Sequence, residues 1–224
     1  MKNRNKHLIA YVVLIAVPLL ADIISLFFLP EIIPLHYSLS GEADRFGSKF
    51  EILILPVCFA VIGAVIFPVA GLSSKNETST KSNEKTVLIV GECCLAMFLI
   101  INFYTLYISA KGVTNIYDPD IDITSVAFIP LGILLMISGN IMPKTKRNSI
   151  VGVRLPWTQK NDEVWKKSQH FGGIVSIVCG FLVLLSSFIF KGADAIAAVI
   201  ISITIMTIII TVYSYLIYKK TDKQ

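Results

Sequence analysis

Apolar residues in this chain fall into six long, almost unbroken blocks separated by polar stretches. The blocks are Leu8–Leu29, Ile52–Leu72, Thr86–Ala110, Val126–Met142, Gly172–Phe190 and Ala195–Tyr218, of 22, 21, 25, 17, 19 and 24 residues. A helix rises about 1.5 Å per residue, so about 20 apolar residues cross the roughly 30 Å hydrocarbon layer of a bilayer. Continuous blocks of this length lack the period-two alternation of an outer-membrane barrel strand. The pattern therefore predicts an all-α, polytopic membrane protein with six transmembrane helices. Val126–Met142 is the shortest block and carries Pro130. Lys2, Arg4 and Lys6 precede the first block as in a signal peptide, but its 22 residues exceed the about 7–15 of a signal's apolar region, and no small-x-small cleavage site follows. It reads as a retained anchor.

Composition agrees: 54% of residues are hydrophobic, 16% are charged and mean hydropathy is +0.72. These values exclude a soluble enzyme domain, a disordered chain and a broad basic face that binds nucleic acid directly. The charge distribution adds orientation. With the N-terminus inside, 16 of the 20 Lys and Arg residues fall in inner segments, which predicts cytoplasmic N- and C-termini. Cys58, Cys93, Cys94 and Cys179 all lie inside blocks, so no disulfide framework is expected. Three blocks plus three make halves of opposite topology, and each half has a charged loop opening on proline (Pro30, Pro143) after its first span, an arrangement that inverted repeats share.

The polar segments divide the chain into a two-span unit, residues 1–72 with an outer loop at 30–51, a linker at 73–85, and a four-span unit, 86–224, with a basic inner loop at 143–171. The linker, SSKNETSTKSNEK, is low in complexity and reads as flexible; its Asn76-Glu77-Thr78 sequon falls on the inner side. The loop with Asp118, Asp120 and Asp122 lacks the glycine and glutamate of a calcium loop and reads as solvated. The outer loop mixes Leu35, Tyr37 and Phe46 with His36, Asp44, Arg45 and Lys49, and turns at Ser40-Gly41. In the inner loop Asn161 can cap a helix, with Asp162 and Glu163 in its first turn and Lys166, Lys167 and His170 further along. That loop also holds Trp157 and Trp165, the two tryptophans of the chain.

Few residues carry chemistry. Asp22 and Glu92 are carboxyl groups inside spans, costly there and so functional candidates, as packing or hydration sites or as parts of a transport path. They lie in opposite halves of the bilayer and are not expected to touch. His36 lacks a second ligand of metal-site spacing and reads as a hydrogen-bonding residue. Asp44 with Arg45 and Lys49 is either a solvated cluster or a face that meets a cationic or amphipathic peptide. Arg154, Trp157 and Trp165 suit both headgroup anchoring and the docking of a cytoplasmic partner. Gly172, Ser176 and Gly180 form a small-residue stripe for close helix packing. Without a GxSxG, HExxH or nucleotide-loop motif, an enzyme, a cofactor or a metal is not expected.

The segment Gly139-Asn140…Pro143-Lys144…Asn148…Gly152-Val153-Arg154…Pro156-Trp157-Thr158…Val164-Trp165-Lys166…His170…Gly172-Gly173 resembles the signature of the SdpI-type membrane immunity proteins. The stretch Leu29-Pro30…Ile33-Pro34-Leu35-His36…Gly41-Glu42…Asp44…Lys49 resembles the small domain of unknown function that often precedes it. The resemblance implies a membrane protein of Gram-positive bacteria that protects against a secreted peptide toxin and holds a small winged-helix repressor at the membrane. It places partner contacts at Asn148, Gly152, Arg154, Pro156, Trp157, Thr158, Trp165, Lys166 and His170, and outer-loop contacts at His36, Gly41, Asp44 and Lys49. The alternative is a small secondary transporter or channel that uses Asp22 and Glu92.

Overall fold

A computed structural model describes residues 2–72, 81–117 and 122–222. Six helices form the bundle: α1 (Lys2–Ser25), α2 (Ile54–Leu72), α3 (Lys81–Lys111), α4 (Ile123–Ile141), α5 (Asp162–Ile189) and α6 (Gly192–Thr221). Each is long and apolar enough to cross a membrane. Their outward faces are aliphatic, with Ile9, Leu20, Ile24, Val61, Val178, Ile200 and Leu216 all exposed, as lipid-facing surfaces require. Within the bundle α1, α2 and α3 each pack on the other two, whereas α5 lies between α4 and α6, and α3 against α4 joins the halves. The halves thus differ in how closely their helices pack and in their long loops.

Several helices extend beyond their apolar blocks. α5 starts at Asp162, capped by Asn161, whose side chain accepts from Glu163 N, so the predicted loop helix and the fifth span are one continuous element. α4 starts at Ile123 because Asp122 Oδ1 accepts from both Thr124 N and Thr124 Oγ1. Asp122 is therefore a helix cap, while Asp118 and Asp120 lie outside the described residues, as do 73–80 of the linker with its sequon.

The outer loop adds an element that the hydrophobic pattern does not reveal. Strands β1 (Ile32–Tyr37) and β2 (Ala43–Ser48) pair antiparallel as a hairpin, with register shifts around His36. A short 3₁₀ helix, Lys49–Leu53, returns the chain to α2 behind a capping box of Ser48 and Glu51. Leu29, Ile33 and Ile52 form a small buried cluster beneath the hairpin.

The closest helix crossing is α4 on α5. A Cβ added at Gly139 or at Gly173 would lie 2.5 Å from the other residue's carbonyl oxygen. The same holds for Gly132 and Gly180, at 2.7 and 2.6 Å. Backbones this near need residues without side chains. Gly180 belongs to the predicted stripe, but Gly172 faces Val153, Met142 and Ile210 instead, and Gly173 takes its place in the crossing.

Candidate functional site

The bundle presents two unlike faces. The hairpin face carries β1, β2 and the α3–α4 connection. The terminal face carries the start of α1, the start of α3, the 142–161 segment and the end of α6.

At the hairpin face, Gly41 turns the chain at φ +84°, and a Cβ there would lie 2.5 Å from the Tyr117 ring. Both features demand glycine. Backbone bonds from Ala43 N to Thr114 O (2.7 Å) and from Ile116 N to Gly41 O (2.8 Å) tie the hairpin to the α3–α4 connection. Tyr37 Oη donates to Val113 O at 2.8 Å and Tyr117 Oη to Leu39 O at 3.1 Å. Burial pushes the Tyr37 hydroxyl up to about 12, so it stays a donor at physiological pH. The charged residues resolve into separate pairs: His36 Nδ1 with Asp44 Oδ1 (2.6 Å), Arg45 with Glu51 (2.8 Å) and Lys49 with Glu31 (2.8 Å). Asp44, Arg45 and Lys49 are thus not one cluster. Below them lies a cavity of about 400 Å³, bounded by Leu35, Tyr37, Ile52, Tyr104, Ile108 and Ser109. The Ser109 hydroxyl is buried and has no partner among the described residues.

At the terminal face the 142–161 segment forms a strap fastened to the bundle by side chains. Asn83 Nδ2 donates to Lys146 O (3.1 Å) and Asn83 Oδ1 accepts from Lys146 N (2.9 Å). Asn148 Oδ1 accepts from Ile150 N and Val151 N, while its amide donates to Lys146 O and Val151 O. Gly152, at φ +107°, lets the strap pass over Gln169, which accepts from Val153 N (2.9 Å) and donates to Val153 O (3.2 Å). Thr158 Oγ1 donates to Val153 O and accepts from Leu155 N. Trp165, 2% exposed, donates from Nε1 to Thr145 O (3.0 Å). Trp157 Nε1 donates to Ser214 Oγ (2.9 Å), and its ring meets Tyr215 edge-on.

The predicted inner-loop residues therefore sort into two groups. Asn148, Gly152, Thr158 and Trp165 hold the strap in place. Arg154, Pro156, Lys166 and His170 are exposed, and Trp157 is half-buried. Trp165 cannot anchor in headgroups, because the bundle encloses its ring. The sequence does not single out Asn83 and Gln169, since their partners Lys146 and Val153 lie on the strap.

The intramembrane carboxyl groups are both paired. Asp22, 0% exposed, accepts from Asn102 Nδ2 at 2.7 Å. Glu92 meets His7 Nδ1 at 2.7 Å. Tyr11, Leu14, Ile15, Leu95 and Phe98 pack together on the stretches of α1 and α3 between the two pairs. Asn102 and His7 were also missed, although an amide within an apolar block is itself a signal.

Six spanning helices, a β-hairpin at one end and a fastened basic strap at the other define a multi-pass helical membrane protein with a built surface on each face. Among the described residues, no three His, Cys, Asp or Glu side chains group as a metal site. The chain belongs to the SdpI/YfhL protein family. That family's model matches residues 144–215, and the domain of unknown function DUF1648 matches residues 13–60. The chain is 31% identical to the immunity protein SdpI of Bacillus subtilis (strain 168) over 218 residues, 97% of this chain and 98% of that protein. It is also 48% identical over 44 residues to an uncharacterized protein of Archaeoglobus fulgidus, covering 20% of this chain and 24% of that protein. No solved structure matches the chain.

Proposed function

We propose that this chain is a non-enzymatic membrane immunity protein that protects its cell against a secreted antimicrobial peptide. The observation that carries this reading is the similarity to an immunity protein along 97% of the chain, which takes in both faces. The Lys and Arg distribution supports a cytoplasmic terminal face and an external hairpin face. The hairpin then meets a peptide arriving from outside, with His36 and Asp44 at its surface, Lys49 behind them in its pair with Glu31, and the cavity below to receive an apolar side chain. The strap carries the second half of the proposal. Its exposed Arg154 and Pro156, with exposed His170 on α5, are suited to holding a small winged-helix repressor.

Transport through Asp22 and Glu92 is the weaker reading. Fifteen residues separate His7 from Asp22 on α1, about 22 Å of helix. An apolar cluster that includes Leu14, Ile15, Leu95 and Phe98 lies between them, with the Tyr11 hydroxyl donating to Leu88 O, which does not favour a polar path.

Survival and membrane potential test the proposal. A sensitive Gram-positive host expressing the chain is exposed to medium from a toxin-producing relative. The wild type is expected to survive and keep its potential. Asp44→Ala is expected to weaken protection, whereas Arg154→Ala is expected to spare protection and release the repressor from the membrane. Death of wild-type cells at the vector control's rate, with the protein present in the membrane, would reject the immunity reading.

A further inference from the structure

We propose that the cavity between the first part of the strap and the first turns of α5 binds a phosphate-bearing anion at the terminal face. The cavity measures about 520 Å³ and is bounded by Lys144, Lys146, Arg147 and Lys166, with Asp162 and Trp165 completing its wall. Four cations face one carboxylate, and that carboxylate is occupied: Arg147 Nε meets Asp162 Oδ1 at 2.9 Å. The ammonium groups of Lys144, Lys146 and Lys166 have no ion-pair or hydrogen-bond partner among the described residues. Elsewhere on this face some basic side chains find partners, as in Lys167 with Glu163, Arg4 with Glu84 and Lys160 with the Tyr218 hydroxyl.

The backbone that presents these lysines is held at successive residues. Ser82 Oγ donates to Lys144 O (2.8 Å), Trp165 Nε1 donates to Thr145 O (3.0 Å), and Asn83 bonds both N and O of Lys146. Arg147 also donates from Nη1 to Gln159 O at 3.0 Å. A fixed strap that gathers unpaired like charges in one recess is destabilised by their repulsion, and an anion relieves it. Ammonium groups converging from two walls suit the several oxygens of a tetrahedral phosphate. The strap follows directly on α4, where the chain leaves the apolar span, which is the depth of lipid headgroups. The headgroup of an anionic phospholipid and a soluble phosphate ester share this chemistry. The site is independent of the immunity reading and of any toxin.

The test uses the purified full chain in detergent, read by thermal unfolding and native mass spectrometry. The probes are phosphatidylglycerol, phosphatidylcholine, inorganic phosphate and a poly-glutamate peptide. The proteins are the wild type, Lys146→Gln with Lys166→Gln, and Lys220→Gln as a basic control outside the cavity. Phosphatidylglycerol is expected to be retained and to raise the unfolding temperature of the wild type and of Lys220→Gln, phosphatidylcholine to do neither, and the double variant to lose at least about tenfold in affinity. Dependence on the two lysines with phosphatidylglycerol alone identifies a lipid headgroup; the same dependence with inorganic phosphate identifies a soluble ester. Equal retention by the double variant and the wild type would overturn the proposal. So would lysine-dependent binding of poly-glutamate without binding of either phosphate probe, or no stabilisation by any probe.

Discussion

Trp165 and Arg154 stand in the same basic loop, yet the fold gives them opposite work. The Trp165 ring is enclosed and its indole N–H satisfies Thr145 O; Arg154 is exposed and donates to Ser149 O within its own turn. Trp165→Phe leaves that carbonyl unbonded in a buried setting and should cost about 1–3 kcal/mol, seen as a lower unfolding temperature in detergent. Arg154→Ala should stay within about 0.5 kcal/mol of the wild type in the same assay. The sequence marks both residues but cannot rank them, because tryptophan beside lysine and arginine reads equally as an interfacial anchor. What decides is Gln169: its two bonds to Val153 draw the strap across α5, a contact between residues 16 apart that no local pattern encodes. Asp22 is the contrasting case. A carboxyl group inside an apolar block is conspicuous in the sequence, and Asn102, 80 residues on, is the partner that its cost demands.

Among the elements, the helices were legible and the hairpin was not. A block of about 20 apolar residues has few fates other than a span. The hairpin strands are six residues each, and β2, ADRFGS, has no apolar alternation to report its pairing. It is held by its neighbours instead: β1, the Val113–Tyr117 connection and the apolar cluster below. Tyr37→Phe removes one of these ties and should cost about 0.5–1.5 kcal/mol, with faster amide exchange at the hairpin and at Thr114–Ile116. The α4–α5 crossing is legible only in part. The stripe of small residues is visible in the sequence, but the phase that selects Gly173 over Gly172 depends on where Gly139 and its carbonyl lie. Gly173→Ala places a methyl group against that carbonyl and should destabilise the bundle by about 1–3 kcal/mol. The same change at Gly112, where nothing lies within 4 Å of the added Cβ, meets only the strain of its φ of +61°.

At the scale of the molecule, the two faces are built separately and joined through α3, which opens against the strap at Ser82 and Asn83 and leads at its far end to the hairpin's ties at Val113 and Thr114. The bias of Lys and Arg towards one side was readable from the start; which segments would fasten to one another on that side was not, since it rests on amides and hydroxyls scattered over three helices. The proposed function requires the hairpin outside, where a secreted peptide arrives, and the strap in the cytoplasm. Single-cysteine labelling in intact cells tests this most directly, with Cys58, Cys93, Cys94 and Cys179 replaced and a cysteine placed at Ser40 or at Lys160, both exposed. An impermeant maleimide should label Ser40→Cys in intact cells and Lys160→Cys only after lysis, and medium from a toxin producer should slow labelling at Ser40→Cys. Labelling of Lys160→Cys in intact cells, or a Ser40→Cys rate indifferent to the toxin, would contradict the account.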